Sequence, residues 1–323
     1  MAVIEEAAAG QPQAAGRKSG GITATAVSRS FGSVHAVENM DFHAPAGKVT
    51  ALIGPNGAGK TTLLLMLASL LAPDSGSIAI GGLDPQDHRA EVRMQVGWMP
   101  DTLGVWESLT AREILTQMAR FYRLPKAGIA PRVAEMLELV RLEELADQPA
   151  RVLSRGQQQR LSLARALIHD PSVLLLDEPA SGLDPGSRVE LRNMLRRLAA
   201  AGKAVVVSSH VLSELDEIAD GAVFVNQGRT VRQQTVEEAS ATGRRYAIAA
   251  SNGPALAAKL TELGLAFRNE NGRRPAVSLM LMNDDDAARL LRELVLADVV
   301  VSSFAPASGA LEETYMNLEG GRR

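Results

Sequence analysis

The sequence predicts an α/β protein: a mixed sheet with helices on its faces, followed by a small α+β unit. Three observations carry this. Short Val- and Leu-rich runs alternate with helical patterns over the first 240 residues. One run, residues 48–53 (KVTALI), enters a glycine-rich turn and then a helix-like stretch at 61–71. After about residue 241 the order becomes strand, helix, strand, strand, helix, strand.

Each element has its own reason. Residues 173–176, 204–208 and 222–226 are continuous apolar runs bounded by turns, the pattern of parallel strands buried on both faces. Residues 22–31 and 77–80 alternate more and are expected as antiparallel edge strands. Between 110 and 145 the pattern is amphipathic helix, interrupted around Pro125 and Pro131, so a helical insertion is expected at about 102–160. In the last unit, strands are expected at 245–250, 265–269, 275–282 and 298–304. Helices are expected at 254–263, 285–296 and 311–318. The order βαββαβ is that of a ferredoxin-like split βαβ unit. The domain expectation is a disordered tail at 1–21, a larger α/β unit at 22–240 and a small α+β unit at 241–323.

Composition removes several classes. Hydrophobic residues are 46% and charged residues 22% of the 323, which supports packed cores. Net charge is −3; residues 241–323 hold 10 bases and 10 acids, leaving 24 and 27 before them. Neither part is a basic nucleic-acid surface, and 11 aromatic residues leave few platforms for stacking bases. The absence of Cys excludes disulfides and thiolate metal sites. The longest apolar stretch, 63–72, is half the roughly 20 residues that a spanning helix requires. The acidic, Ala- and Gln-rich start makes a poor signal peptide, and a soluble chain is expected.

The strongest motif is Gly54-Pro55-Asn56-Gly57-Ala58-Gly59-Lys60-Thr61, which matches G-x-x-x-x-G-K-[ST] between a strand and a helix. Glycines let successive N–H groups face phosphate oxygens, and the helix adds its positive end. Lys60 is expected to reach the β- and γ-phosphates of ATP and Thr61 to bind Mg²⁺, with Thr62 beside them. The second motif, residues 173–179 (VLLLDEP), ends a buried strand in two carboxylates. Asp177 is the expected Mg²⁺ ligand and Glu178 the expected base for an attacking water.

With these motifs the chain resembles the ATP-binding cassette family of P-loop NTPases. Residues 153–158 (LSRGQQ) resemble that family's signature, which brings Ser154, Gly156 and Gln157 into the nucleotide site. Residues 181–184 (SGLD) resemble its D-loop and so implicate Asp184. His210, after AVVVSS, resembles the switch histidine, and Phe31 the aromatic that stacks on adenine. The resemblance covers about 22–232. It implies catalytic roles for Glu178, His210 and Lys60, and two copies of the chain enclosing two ATP molecules head to tail.

Two positions depart from the family pattern. After GWMP the family has Gln, whereas here Asp101 follows, an oxygen donor for Mg²⁺ that cannot donate a hydrogen bond when ionised. Arg155 replaces the signature's Gly; its charge either faces a phosphate across an interface or points to solvent, the second being the expectation. The function implied is the ATP-hydrolysing subunit of a transporter, resembling ABC-2-type exporters in which a small unit ends in a segment like LEETYMNLEG. A separate membrane permease is then the partner, and the location is peripheral, on the inner face of the membrane. The alternative is a soluble cassette ATPase acting on ribosomes or DNA.

Overall fold

A computed structural model describes residues 20–102, 104, 106–241, 243–270 and 276–320. All but the last two residues of the expected N-terminal tail lie outside these. In chain order the elements are β1 (Ile22–Phe31), β2 (Val34–Ala44), β3 (Val49–Ile53), α1 (Lys60–Leu67), β4 (Ser75–Ile80), α2 (Arg89–Gln95) and β5 (Val96–Met99). Then come α3 (Ala111–Phe121), α4 (Lys126–Leu139), α5 (Arg155–Leu167), β6 (Val173–Asp177), α6 (Pro185–Ala200), β7 (Ala204–Ser208) and α7 (Leu212–Asp216). They are followed by β8 (Gly221–Asn226), β9 (Arg229–Thr235), α8 (Val236–Ala241), β10 (Arg244–Ala250) and α9 (Gly253–Glu262). The last are β11 (Arg268–Glu270), β12 (Ala276–Leu281), α10 (Asp284–Leu296), β13 (Val301–Pro306) and α11 (Ala310–Gly320).

The central sheet has the order β5-β6-β7-β3-β8-β9, parallel except for β9. Its strands β3, β6 and β7 are buried at every position. Alternation sorts their side chains: Val49, Ala51, Ile53, Leu174, Leu176, Val205 and Val207 join the helices α3 to α6. Leu52, Val173, Leu175, Ala204 and Val206 join α1 and a second sheet, β2-β1-β4. That second sheet is antiparallel as expected, but β1 lies at its centre rather than at an edge.

Several boundaries moved for identifiable reasons. Helix α1 stops at Leu67 because Ser69 turns to φ 57°, so the apolar stretch continues as a bend rather than as helix to 71. Pro131 lies inside α4 and does not break it; the break is at Pro125, which caps that helix. Helix α3 begins under a Thr110–Glu113 capping box.

The last four strands form a sheet of order β11-β12-β10-β13, antiparallel throughout, with β12 between the strands joined by α9. This is the split βαβ arrangement the element order suggested, with β11 and β13 starting three residues later than expected. Its core holds Tyr246, Ile248, Leu256, Leu279, Leu290 and Leu294. Asp284, Asp285 and Asp286 occupy the first turn of α10 under Asn283, whose side chain accepts from the Asp286 N–H. Helix α11 leaves this unit and packs on α7 and α8, with Leu311 fully buried in the larger core. Asp216, at the end of α7, caps it by accepting from the Leu311 and Glu312 N–H groups at 2.7 and 3.2 Å.

His169 ties the helical layer to the sheet. Its ring stacks on Tyr122 at 3.6 Å, and Nε2–H donates to the Val96 carbonyl at 3.1 Å. Nδ1 is buried with no donor facing it, so the ring is neutral and burial pulls its pKa down to about 4. A folded-state value below the unfolded 6.5 favours the native state above that pH and penalises it as pH falls towards 4. Acidification through this window is expected to cost up to about 3 kcal/mol at this ring alone. His169→Gln, which retains a donor for Val96, should flatten that part of the dependence in urea titrations at about pH 7.5 and about pH 5. Equal pH slopes in the two proteins would place the acid lability elsewhere.

Candidate functional site

The loop 54–59 leaves β3 and delivers α1 with Lys60 as its first residue. Two glycines in it are sterically required. A Cβ on Gly59, at φ 97°, would lie 2.5 Å from the Ala36 carbonyl, and one on Gly54 would lie 2.3 Å from the Val225 carbonyl. The loop is thus pressed between β2 and β8, while Pro55, Asn56 and Gly57 face solvent. Lys60 folds across the loop and donates to the Gly54 and Pro55 carbonyls at 2.7 and 3.1 Å. Burial draws its pKa below the usual lysine value, partly offset by Glu178 and Asp177. Thr62 follows, half-buried on α1.

Asp177 ends β6, buried, with one oxygen for each of two hydroxyls. Thr61 donates to Oδ2 at 3.0 Å, and Ser208, at the end of the adjacent β7, donates to Oδ1. Glu178 follows at φ 51°, a left-handed conformation uncommon for a residue with a side chain. Its N–H is held by both the carbonyl and the hydroxyl of Ser208, each at 3.2 Å. Its carboxylate accepts from His210 Nδ1 at 2.9 Å. Burial raises the Glu178 pKa, and the His210 hydrogen bond partly opposes the rise. Lys60, Thr61, Asp177, Glu178 and His210 therefore converge at the carboxyl ends of β3, β6 and β7.

Other expected site residues lie apart from that corner. Phe31 is half-exposed at the end of β1, with the Arg29 guanidinium 5.1 Å from its ring centre. Asp101 is exposed beyond β5, and among the described residues no hydrogen bond joins it to Asp177 or Thr61. Ser154 caps α5. Its side chain accepts from the Gln157 N–H, while the Gln157 side chain accepts from the Ser154 N–H at 2.8 Å. Gly156 is the second residue of α5, where a Cβ would stand in ordinary contact 3.4 Å from the Gly182 carbonyl. Asp184 caps α6; the Ser187 hydroxyl and N–H hold its carboxyl below the usual range. Among the described residues no hydrogen bond joins 154–157 to the loop 54–59.

Arg155 corrects the expectation that it simply points to solvent. Although exposed, its stem lies over Gly182, about 3.0 Å from where a Cβ would stand, and Nη2 reaches the Ser181 hydroxyl at 3.4 Å. It ties the start of α5 to the turn before α6. Two residues escaped sequence reasoning altogether. Ser208 was visible only as the tail of AVVVSS, and Gln159, which donates to the Glu178 carbonyl at 2.9 Å, only as one of three glutamines.

Comparison with known proteins shows the family. The ABC transporter family matches residues 37–181. The daunorubicin resistance ATP-binding protein DrrA3 of Streptomyces coeruleorubidus is 31% identical over 94% of this chain and 96% of its own length. The chain belongs to the ABC transporter family. Nod factor export ATP-binding protein I of Ralstonia nicotianae is 38% identical over 64% of each chain. A dimeric ATP-binding cassette in a post-hydrolysis state with ADP and Pi is 25% identical, with a TM-score of 0.61 over 66% of this chain and 98% of that one. The protein is thus an ATP-binding subunit with an ATPase cassette, and no helix among its described residues is long and apolar enough to cross a membrane.

Ser208→Ala removes one donor from a buried carboxylate and one acceptor from the Glu178 N–H. This ABC ATPase should lose about 1–3 kcal/mol of stability, read by urea titration. Steady-state ATP hydrolysis should fall roughly 10–100-fold. Wild-type turnover in a folded variant would show that Asp177 is positioned without Ser208.

Proposed function

We propose that the protein is the ATP-hydrolysing motor of an ABC-2-type exporter, closing as a homodimer on ATP and driving a separate membrane permease from the inner face of the membrane. The observation that carries the reading is the convergence of Lys60, Thr61, Asp177, Glu178 and His210. Export is supported by relatives named for daunorubicin resistance and Nod factor export, the former matched over nearly its whole length. The homodimer is supported by the dimeric cassette that shares the fold.

In this reading the N–H groups of 54–61 and the α1 terminus bind the β- and γ-phosphates, and Phe31 stacks on the adenine. Thr61 and Asp177 are hard oxygen donors already 3.0 Å apart, a pair that suits Mg²⁺. In this reading Asp101, exposed beyond β5, is the further oxygen offered to the ion. When bound, Mg²⁺ neutralises charge developing on the phosphate oxygens. Lys60 exchanges its bonds to the loop carbonyls for phosphate oxygens. Glu178, with its raised pKa, takes a proton from the attacking water, and His210 holds the carboxylate in line. Ser154, Gly156, Gln157 and Asp184 of the second copy close over the γ-phosphate. Cleavage removes that contact, and the halves part.

Glu178→Gln should still bind ATP·Mg²⁺ and dimerise but hydrolyse about 10²- to 10⁴-fold more slowly, because the base is lost while the interface is kept. Trapped with ATP in mild detergent in its native host, this variant should carry a stoichiometric polytopic membrane protein. Ribosomal proteins or DNA in its place would overturn the transporter reading. Lys60→Ala should instead weaken equilibrium binding of ATP·Mg²⁺, and unchanged affinity would refute the role of the loop. His210→Ala removes a hydrogen bond that lowers the Glu178 pKa, so the acid limb of kcat/KM should move to higher pH. An unmoved limb would separate His210 from the base.

A further inference from the structure

A cavity of about 560 Å³ lies between the end of α4, α5 and α6, away from the phosphate loop. That volume is within the roughly 300–1,000 Å³ of sites that hold drug-sized molecules. Its floor is apolar, with Val140, Leu163, Leu183 and Leu191 all buried. Its rim is cationic: Arg141, Arg160, Arg196 and Arg197 stand against a single acid, Glu190. Glu190 is occupied by Arg141 at 2.5 Å. Among the described residues none of the other three guanidinium groups is paired with a carboxylate. Arg160 donates to the Ser187 hydroxyl and Arg196 to the Glu217 carbonyl. A chain of net charge −3 thus concentrates unneutralised positive charge around one hollow with an apolar floor.

The walls of the hollow reach the catalytic corner through single bonds. Gln159 lines it and donates to the Glu178 carbonyl at 2.9 Å. Pro179, also in the wall, follows Glu178 directly. Ser187 accepts from Arg160 and donates to the Asp184 carboxylate at 2.5 Å. An occupant that engages Arg160 competes for the bond that helps orient Ser187 and, through it, Asp184. An occupant between α5 and α6 also sets the spacing of the two helices that begin at Ser154 and Asp184.

We propose that this cavity binds an amphiphilic organic anion, a carboxylate, sulfonate or phosphate on an apolar body, and that occupancy alters the rate of ATP hydrolysis. The acid group pairs with Arg160 and Arg197 at the rim, and the apolar body lies on Leu163 and Leu191. Binding stands on the cavity alone; only its effect on turnover rests on the ATPase reading.

The test uses the full-length protein and 1-anilinonaphthalene-8-sulfonate, whose fluorescence rises on transfer to an apolar site. One saturable site per chain is expected. Arg197→Met, an exposed change that leaves the floor intact, should weaken it roughly tenfold, the loss of one charge-assisted contact of about 1.4 kcal/mol. Met194→Trp, which fills the hollow from its wall, should abolish it. The uncharged N-phenyl-1-naphthylamine should bind more weakly than the sulfonate and should not respond to Arg197→Met. Sulfonate affinity unchanged in both variants, or equal affinity for the uncharged probe, overturns the site. Saturation with the sulfonate should change steady-state hydrolysis of the wild type but not of Met194→Trp. A full site with unchanged hydrolysis overturns the coupling, independently of whether Glu178 is the base.

Discussion

The Asp177 carboxylate, shared between the hydroxyls of Thr61 and Ser208, is the interaction on which the functional corner depends. A buried carboxylate costs several kcal/mol unless hydrogen bonds replace its water. Here each oxygen has one donor, and the donors come from different elements, α1 and β7. Those bonds are available only because the parallel sheet runs β6-β7-β3, so that three strand ends and the helix following β3 meet at one edge. The register aligns Asp177 with Ser208 and Ser208 with Leu52, which leaves no play between them. Glu178 then leaves the strand at φ 51°, a conformation costing about 1 kcal/mol or more that the two bonds from its N–H to Ser208 offset. The turn directs its side chain to His210 instead of along the strand.

From that corner, contacts pass outward by one residue at a time. Gln159 joins Glu178 to α5, and Arg155 joins the start of α5 to Ser181 and Gly182 before α6. Arg188 on α6 pairs with Glu214 on α7, at a largely exposed site where an ion pair contributes little. The stronger link from α7 is Asp216. Its burial raises its pKa, and in return its two oxygens take two N–H groups that α11 cannot satisfy internally. Gly309 is required beside it, since a Cβ there would fall 1.9 Å from the carboxylate. The α+β unit is therefore fastened to the segment that follows His210 through the start of α11.

What the sequence made legible divides along physical lines. The loop 54–61 and the strand 173–177 could be read because their chemistry is contiguous: each motif carries its own strand, turn and charge. The split βαβ order was legible for the same reason, as hydrophobic periodicity over short segments. Strand β2 was not read, because bulges break its alternation; Asn39 sits at φ 47°, and the buried positions fall at Val37, Met40, Phe42 and Ala44. Strand β5 has four residues, too few for any period to register. Pro131 suggested a break that α4 absorbs by forgoing one hydrogen bond. Ser208 acts through neighbours that only strand order supplies, so no local pattern could announce it; Arg155 stood out in the signature, but its contacts with Ser181 and Gly182 depend on helix packing.

The two helices that begin at the phosphate loop and at the signature share one electrostatic property. Neither α1 nor α5 has an acid in its first turn or at its cap, a property they share with α4 and α9, whereas α3 and α10 carry acids in their first turns and α6 is capped by Asp184. A carboxylate in either place would occupy the partial positive charge of the helix end and repel a phosphate. At α5 the capping box of Ser154 and Gln157 satisfies two N–H groups, those of Gln157 and Ser154, and orders the turn without adding negative charge. Arg155 adds a cation beside it, held in place over Gly182. The terminus is thus ordered, positive and unneutralised, and among the described residues no hydrogen bond joins it to the loop 54–59 of the same chain. In the proposed homodimer the anion that completes it comes from the other copy, and two-fold pairing supplies that anion to both copies at once.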